Sequence, residues 1–328
     1  MIWFSGDTER PLYYYIYMNL DDLVNPINKQ KLDRDNIEYF FGIPNLYFDD
    51  EKPLTATQSE FYNDVKFPNY DDIDDFGTLL EKSSKSIFVK KLDDEIPFHA
   101  NVLEAGCGTG QLSIALSRYN RKIHSIDLSK GSLIEAKKFI DKTDIKNVQL
   151  YRMNIFNLCF PKNYFDVIIS NGVLHHTHDA KSAFGKLTKH LKPNGIIVIG
   201  LYHKYGRIVQ NIRQFLIKTF GEKMKFIDKR FSENLSERKK YAWFKDQYYN
   251  PYETKHTYNE VINWFKENDI EFVNSIPFNF NLNDKITIKK PILSKYEILL
   301  KEFFLMFDSR QIYEGGFFVM IGKKNKKF

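Results

Sequence analysis

The sequence predicts an α/β protein built around a doubly wound, mostly parallel β-sheet. Between residues 101 and 202, apolar runs of strand length alternate with helical segments, and the first run leads into the glycine-rich loop "VLEAGCGTGQ" at residues 102–111. Such alternation indicates parallel strands joined by right-handed crossovers. Ligands of such sheets lie beyond the carboxyl ends of the strands, so residues at those ends are candidate site residues.

The individual elements follow from their patterns. Strands are predicted for "NVLEAG", "KIHSIDLS", "VQLYRMNIF", "FDVIISNG" and "IIVIGLY". Helices are predicted for "GQLSIALSRYN", "GSLIEAKKFIDKT" and "DAKSAFGKLTKHLKPNG", the last closed by its Pro and Gly. From Ser59 a polar loop is predicted to become a helix. Further on, Thr257 and Glu260 have capping-box spacing before an amphipathic helix and a strand, and "EGGFFVMIGKK" predicts a terminal strand.

The glycine loop favours a cationic ligand over a phosphate. Its glycines allow a sharp turn and the close approach of a ligand, but Gln111 stands where a dinucleotide fingerprint needs its third glycine, and no Gly-Lys-Ser/Thr of a P-loop follows. Glu104 ends the preceding strand and is expected to face the ligand. Its charge repels a pyrophosphate and attracts an ammonium or sulfonium group.

Composition predicts a cytoplasmic globular protein. The 328 residues carry 48 Lys+Arg and 42 Asp+Glu, a net charge of +6 spread along the chain, which permits nucleic-acid binding without indicating it. Two cysteines are too few for a disulfide framework or a paired zinc ligand set. We expect no membrane span and no export signal, because the start lacks a basic region and no apolar run reaches about 18 residues.

The segments "VLEAGCGTG", "IDLS" and "SNGVLHH" together resemble the motifs of class I S-adenosylmethionine-dependent methyltransferases. The likeness is strong over about residues 101–201 and is nearest to the branch of quinone-biosynthesis and tRNA wobble-uridine methyltransferases. It implies a seven-stranded Rossmann-like sheet with an antiparallel last strand. It also implies S-adenosylmethionine as cofactor and S-adenosylhomocysteine as product, with no metal.

The resemblance assigns a set of cofactor-binding positions. Asp127 takes the place of the acid that holds the ribose hydroxyls, Leu128 that of a residue packing on adenine, and Asn154 that of an acid reaching the adenine amino group. An N-cap of the following helix is the alternative reading of Asp127. The full expected set is Glu104, Gly106, Cys107, Gly108, Gly110, Asp127, Leu128, Asn154, Ile155 and Asn171.

Catalysis by such a protein rests mainly on alignment of the acceptor with the methyl–sulfur bond. His175 and His176, beyond the fourth strand, are candidates for a general base or for positioning the acceptor. The alternative is that they shape the pocket or cap the next helix without moving a proton. Adjacent histidines rarely converge on one ion, so we expect no metal site.

Two aromatic insertions, at about 203–256 and 280–312, are expected to close the acceptor site as a lid. The opposing interpretation of the aromatic and basic run over 202–256 is an RNA-binding platform. Candidate acceptor-contacting residues are Tyr62, Tyr70, Tyr202, His203, Tyr205, Arg207 and His256. A methyltransferase domain is expected over 58–328, preceded by an N-terminal extension over 1–57. "NIEYFFGIPNLYFDDE" in the extension resembles the end of the zinc-ribbon modules that accompany some methyltransferases, without their cysteines.

The function expected from the sequence is methyl transfer by in-line displacement to an oxygen or nitrogen, less readily a carbon, of a small molecule. A tRNA-modifying methyltransferase is one alternative, and steep salt dependence of RNA binding would favour it. A non-catalytic scaffold or partner subunit is another, and failure to bind the cofactor would favour that. The acceptor's identity, the role of residues 1–57 and the oligomeric state do not follow from the sequence.

Overall fold

A computed structural model describes residues 22–48, 53–66, 68–277, 283, 285–308 and 315–326. The first 21 residues of the predicted N-terminal extension lie outside the described residues. Within the described ranges the chain forms one sheet flanked by helices. Its strands are β1 Tyr39–Phe40, β2 Ile43–Leu46, β3 Asn101–Ala105, β4 Lys122–Asp127, β5 Val148–Met153, β6 Phe165–Asn171, β7 Leu191–Tyr202, β8 Ile270–Ile276 and β9 Phe317–Lys324.

The sheet has the order β1-β2-β5-β4-β3-β6-β7-β9-β8. Strands β5, β4, β3, β6 and β7 are parallel, and β9 lies antiparallel between β7 and β8. The doubly wound sheet and its antiparallel last strand are therefore confirmed. The chain reverses direction across the sheet at β3 and β6, which places a crevice at the carboxyl ends of these two strands.

The sheet is wider than the predicted seven strands because the N-terminal extension adds two. A tight turn at Phe41 and Gly42, both with positive φ, joins β1 to β2. Strand β2 then pairs in parallel with β5, with Asn45 opposite Arg152. These described residues of the extension belong to the same sheet as the site. The boundary between residues 57 and 58 stays a prediction.

The described helices cover both faces of the sheet and the carboxyl ends of the strands. They are α1 Pro53–Asp64, α2 Phe76–Ser84, α3 Ile87–Glu95, α4 Gln111–Ala115, α5 Lys130–Thr143, α6 Ala180–Thr188, α7 Ile208–Phe220, α8 Glu237–Tyr249, α9 Tyr258–Glu267 and α10 Lys295–Phe304. The predicted capping box of α9 is confirmed, since Thr257 and Glu260 bond each other's backbone N–H.

Two local predictions were wrong. The segment from Ser59 was predicted as a loop, but it continues α1, whose inner face packs on α5 and the aromatic insertion. The segment "LKPNG" was predicted to close a helix, but α6 ends at Thr188 and Leu191 already pairs with Phe165 as part of β7. Tertiary pairing overrides the local signal in both places.

Apolar side chains fill both faces of the sheet. One cluster packs β3, β6 and β7 against α6 and α9, with Leu103, Ile168 and Phe184 fully buried. The other packs the opposite face against α2 to α5, with Val102, Ile169 and Leu133 fully buried. Because both faces are covered, the central strands β3 and β6 are largely apolar, whereas β4 also buries His124 and Ser125 in its interior.

Candidate functional site

The glycine loop turns tightly between β3 and α4. Gly106, Gly108 and Gly110 all have positive φ, which favours glycine. A Cβ on Gly106 would lie 2.4 Å from a methyl group of Val173, so the loop packs directly on the turn after β6. The N–H groups of Gly106 and Cys107 both donate to the Ile126 carbonyl, at 2.8 and 3.0 Å. The loop is therefore fixed against the end of β4.

Asp127 at the end of β4 is held by backbone donors. Its Oδ2 accepts from the Gly108 N–H at 2.7 Å and its Oδ1 from the Ser129 N–H at 2.8 Å. Burial raises the pKa of the carboxyl, which these hydrogen bonds partly oppose. Helix α5 is capped by Ser129, so the N-cap reading of Asp127 does not hold. The second lone pair of each oxygen can still accept from a ligand hydroxyl.

Glu104 lies at the end of β3 and is 7% exposed. Ser113 of α4 donates a hydrogen bond to its Oε2, and Ser113 in turn contacts Ser125 Oγ at 2.6 Å. Burial raises the pKa of Glu104 to about 8, with the Ser113 bond acting in the opposite direction and Asp127 adding to the rise. A ligand cation beside this carboxyl would stabilise its ionised form.

A cavity of about 510 Å³ opens at the carboxyl ends of the strands. Its volume is in the range of small-molecule sites. The structure brings nine of the ten predicted cofactor-binding residues to its wall, namely Glu104, Gly106, Cys107, Gly108, Asp127, Leu128, Asn154, Ile155 and Asn171. Gly110 is the exception, since it starts α4 and faces Ala136 of α5.

A second group of lining residues is polar and aromatic. We call it the polar end and define it by Tyr62, His176, Tyr202, Asp246 and Gln247, all of which line the cavity. The hydroxyl of Tyr62 donates to Asp246 Oδ1 at 2.9 Å, and the Gln247 amide donates to Asp246 Oδ2 at 2.9 Å. Gln247 also donates to the Tyr202 hydroxyl at 2.7 Å. The carboxylate of Asp246, 8% exposed, therefore accepts from both sides.

His176 has a defined tautomer at the polar end. Its Nδ1 lies 2.9 Å from the carbonyl oxygen of Tyr252, which only accepts, so Nδ1 carries the proton. Burial lowers the pKa of His176, and the charge of Asp246 opposes part of that shift. The ring is consequently neutral near pH 7, and its Nε2 has an unprotonated lone pair.

His175, unlike its neighbour, lies outside the cavity lining. It is fully buried, does not line the cavity, and packs 4.0 Å from the Tyr202 ring and 4.2 Å from the His176 ring, measured between centroids. Its backbone carbonyl accepts from the Thr254 N–H at 2.7 Å. The structure therefore places one member of the predicted pair at the cavity and the other behind it.

Five of the predicted acceptor-contacting residues do not line the cavity: Tyr70, His203, Tyr205, Arg207 and His256. Tyr70 stacks on Phe139 and donates to the Thr109 carbonyl at 2.6 Å, which braces the glycine loop from outside. The others lie at or beyond the end of β7. His203, for example, is fully buried and bonds Glu302 of α10 at 3.1 Å.

Sequence reasoning named Tyr62 of α1 and a lid that includes α8, but it missed the other lining residues of these two helices. Leu54, Thr55, Gln58 and Ser59 of α1 and Trp243, Asp246 and Gln247 of α8 line the cavity, together with Arg230, Val173 and Phe317. The segment "ERKKYAWFKDQYY" is only weakly amphipathic, so its pattern does not indicate that Asp246 is buried. A single acid among aromatic residues in a predicted lid is the one signal that could have indicated Asp246.

The comparisons with known proteins agree with this geometry. A family model described as "Methyltransferase domain" matches residues 98–269. The chain is similar to a malonyl-[acyl-carrier protein] O-methyltransferase of Bacillus anthracis, 30% identical over 39% of this chain and 48% of the relative. It is also similar to a demethylmenaquinone methyltransferase of Bacillus cereus, 25% identical over 56% of this chain and 75% of the relative.

The family match covers more than half of the chain and decides its membership. The chain belongs to the class I S-adenosylmethionine-dependent methyltransferases. Among solved structures it is similar to a geranyl diphosphate C-methyltransferase of Streptomyces coelicolor, with a TM-score of 0.49 and 13% identity over 85% of this chain and 100% of that one. The match with the Bacillus anthracis relative spans about half of that relative's length.

The cavity of this methyltransferase fits the family's cofactor in chemistry and in size. An adenosyl group needs acceptors for its ribose hydroxyls and apolar faces for its base, and Asp127, Leu128 and Ile155 supply these on one wall. The amino acid end of the cofactor carries an ammonium group, and Glu104 at the end of the neighbouring strand β3 supplies a carboxyl to the same lining. Gly106 and Gly108, which follow Glu104 in the chain, leave room for a ligand to approach the backbone.

A buried ion pair supports the polar end from behind. The Arg207 guanidinium donates to both carboxylate oxygens of Glu253, at 3.0 and 2.5 Å, and to Gln247 Oε1 at 2.9 Å. It also lies 3.5 Å from the centre of the Tyr202 ring. Arg207 therefore fixes Gln247 so that its amide NH₂ points at Asp246 and Tyr202. The role of Arg207 here is positioning, since it does not reach the cavity.

Two kinds of feature are absent from the part of the chain that the structure describes. No cluster of three His, Cys, Asp or Glu side chains there is arranged to hold a metal ion. No described helix is long and apolar enough to cross a membrane.

Proposed function

We propose that this protein transfers the methyl group of S-adenosylmethionine to a hydroxyl oxygen, or by the same arrangement an amine nitrogen, of a small molecule. The observation that carries the proposal is His176, a neutral histidine whose Nδ1 proton is held by the Tyr252 carbonyl and whose ring lines the cavity. Relatives of known name include an O-methyltransferase, which agrees with an oxygen acceptor.

In the proposed complex, Asp127 accepts hydrogen bonds from the ribose hydroxyls and Glu104 lies near the ammonium group. Leu128, Asn154 and Ile155 surround the base. Asn154 Oδ1 already accepts from the Phe156 N–H at 3.0 Å and has a second lone pair for the adenine amino group. The bound cofactor supplies a methyl group already activated by its sulfonium.

The acceptor is proposed to bind at the polar end with its hydroxyl near His176. As the oxygen–carbon bond forms and the sulfur–carbon bond breaks, the hydroxyl proton passes to His176 Nε2. The resulting imidazolium is stabilised by Asp246, whose charge already favours protonation of this ring. Helices α1 and α8 cover the reacting groups and exclude water.

The test begins with S-adenosylhomocysteine binding by calorimetry and continues with its release from S-adenosylmethionine in the presence of catechols, small phenols and alkylamines. His176→Asn retains a donor toward Tyr252 and removes the base, so we expect kcat to fall about 10²–10⁴-fold with cofactor affinity unchanged. His190→Asn is the control, because His190 also bonds a backbone carbonyl, that of Pro161, and lies outside the cavity.

Absence of cofactor binding by folded protein would overturn the proposal and favour a scaffold. Turnover with unfractionated tRNA but with none of the small molecules would replace it with RNA modification. Equal kcat values for the wild type and His176→Asn would show that His176 does not act as a general base.

A further inference from the structure

A second cavity of about 440 Å³ lies directly behind one wall of the first. Five residues line both cavities: Pro68, Gln111, Leu112, Arg230 and Trp243. The two spaces are therefore separated by the thickness of single side chains.

The partition between the cavities stands beside the polar end. Trp243 and Asp246 are three residues apart on α8 and so project from the same side of the helix. The Arg230 guanidinium lies 3.8 Å from the Trp243 ring, and the indole N–H donates to Asp228 Oδ2 at 3.1 Å. An acceptor group near Asp246 would thus have the Trp243 partition as its neighbour.

The second cavity is lined mainly by hydrocarbon. Its aliphatic residues come from three helices and the two loops that precede α2 and α8, and they are Ile73, Leu79, Val89, Leu112 and Leu235. Its two lysines are already engaged, since Lys239 bonds the Asp71 carbonyl and the Asp72 carboxylate, both at 3.0 Å, and Lys82 bonds the Asp72 carbonyl. This lining stabilises an apolar chain, with cations at its margin.

We propose that the second cavity is part of the acceptor site and binds an apolar chain carried by the acceptor, whose reacting group occupies the polar end. This inference rests on the proposed function and narrows its substrate class to amphiphilic molecules with a polar methylated head and a hydrocarbon tail. Trp243 and Arg230 of the partition then lie where the head of the acceptor joins its tail. Removal of the tail from water supplies binding energy that the small polar end cannot supply alone.

The test uses 11-(dansylamino)undecanoic acid as a fluorescent probe of the tail site, titrated into the full chain with saturating S-adenosylhomocysteine. Val89→Trp and Leu235→Trp fill the cavity from two different elements. Ile87→Trp is the matched control, because Ile87 is on the same helix as Val89, is 40% exposed and does not line the cavity. Circular dichroism and cofactor affinity establish that each variant folds.

We expect the two filling variants to raise the probe's Kd about tenfold or more, since each methylene displaced from an apolar site costs about fourfold in affinity. The control should leave the Kd within about twofold. In turnover of 4-alkylcatechols, wild-type KM should fall as the alkyl chain lengthens from methyl to octyl, and Val89→Trp should abolish this trend while its kcat for the methyl compound is kept.

Failure of the proposed function and failure of the tail site would give different results. Loss of S-adenosylhomocysteine binding by the wild type would overturn the proposed function. Intact cofactor binding together with a probe affinity that both filling variants leave unchanged would overturn only the tail site.

Discussion

The buried carboxyl of Glu104 makes a specific prediction about pH and cofactor affinity. Burial raises its pKa to about 8, whereas its ordinary value is 4.5. At pH 6, two pH units below that pKa, about 1% of the carboxyl is ionised, and at pH 8 about half is. If the cofactor's ammonium binds only the ionised form of Glu104, the Kd of the cofactor should fall about tenfold for each unit that the pH rises between pH 6 and 7.5.

Calorimetry with S-adenosylhomocysteine checks this directly, because its ammonium remains largely protonated over that range. Titrations at pH 6.5 in two buffers of different ionisation enthalpy should show release of about one proton per ligand bound. Glu104→Gln should bind without proton release, with a flat pH dependence. A wild-type Kd that does not vary with pH, or binding without proton release, would refute the reasoning.

The raised pKa of Glu104 also affects the stability of the protein without ligand. The folded protein keeps a proton on Glu104 that the unfolded chain loses above pH 4.5, so the free energy of unfolding should fall as pH rises from about 4.5 to 8. The difference between the two pKa values corresponds to about 5 kcal/mol as an upper figure. Urea unfolding of the wild type and of Glu104→Gln should therefore converge at low pH.

Two other residues give predictions of different kinds. Asp127→Ala should weaken S-adenosylhomocysteine binding at least about 100-fold, because two hydrogen bonds to a charged acceptor are lost. Calorimetry measures the affinity, with Asp141→Ala on the exposed surface of α5 as the control. Equal affinities for the two variants would contradict the assignment of Asp127 to the ribose. Arg207→Met should lower the free energy of unfolding at pH 7 by about 2–3 kcal/mol in urea unfolding, because the carboxylate of Glu253 loses two charged hydrogen bonds and keeps only Lys255, at 3.3 Å, as an ion-pair partner. The exposed Lys218→Met should cost less than about 0.5 kcal/mol, and an Arg207 variant as stable as that control would show that the ion pair contributes nothing.

The sequence predicted the central sheet and the cofactor half of the cavity because both depend on local signals. A glycine loop after an apolar strand, followed by an acid at the end of the next strand, places Asp127 beside Gly108 wherever the strands are parallel neighbours. The capping box at Thr257 is equally local. These features required no knowledge of residues distant in the chain.

The polar end depended on long-range contacts that no local pattern carries. Asp246 is held in the cavity wall by a hydrogen bond from Tyr62, which lies 184 positions earlier in the chain. His175 and His176 are adjacent and chemically equal in the sequence, and only the 3₁₀ turn that contains them decides which ring faces the cavity. Arg207 was expected to contact the acceptor, but its guanidinium forms an ion pair with Glu253 behind the cavity wall.

The short N-terminal hairpin has a consequence for solubility. Strand β5 would otherwise end the parallel sheet with a full row of unpaired backbone N–H and C=O groups, which favours pairing with another chain. Strand β2 pairs with Arg152 and Met153 of that row, and among the described strands β1, only two residues long, is the outermost on this side. The extension therefore shortens the row of backbone groups open to another chain, which makes this side of the sheet a poorer template for aggregation.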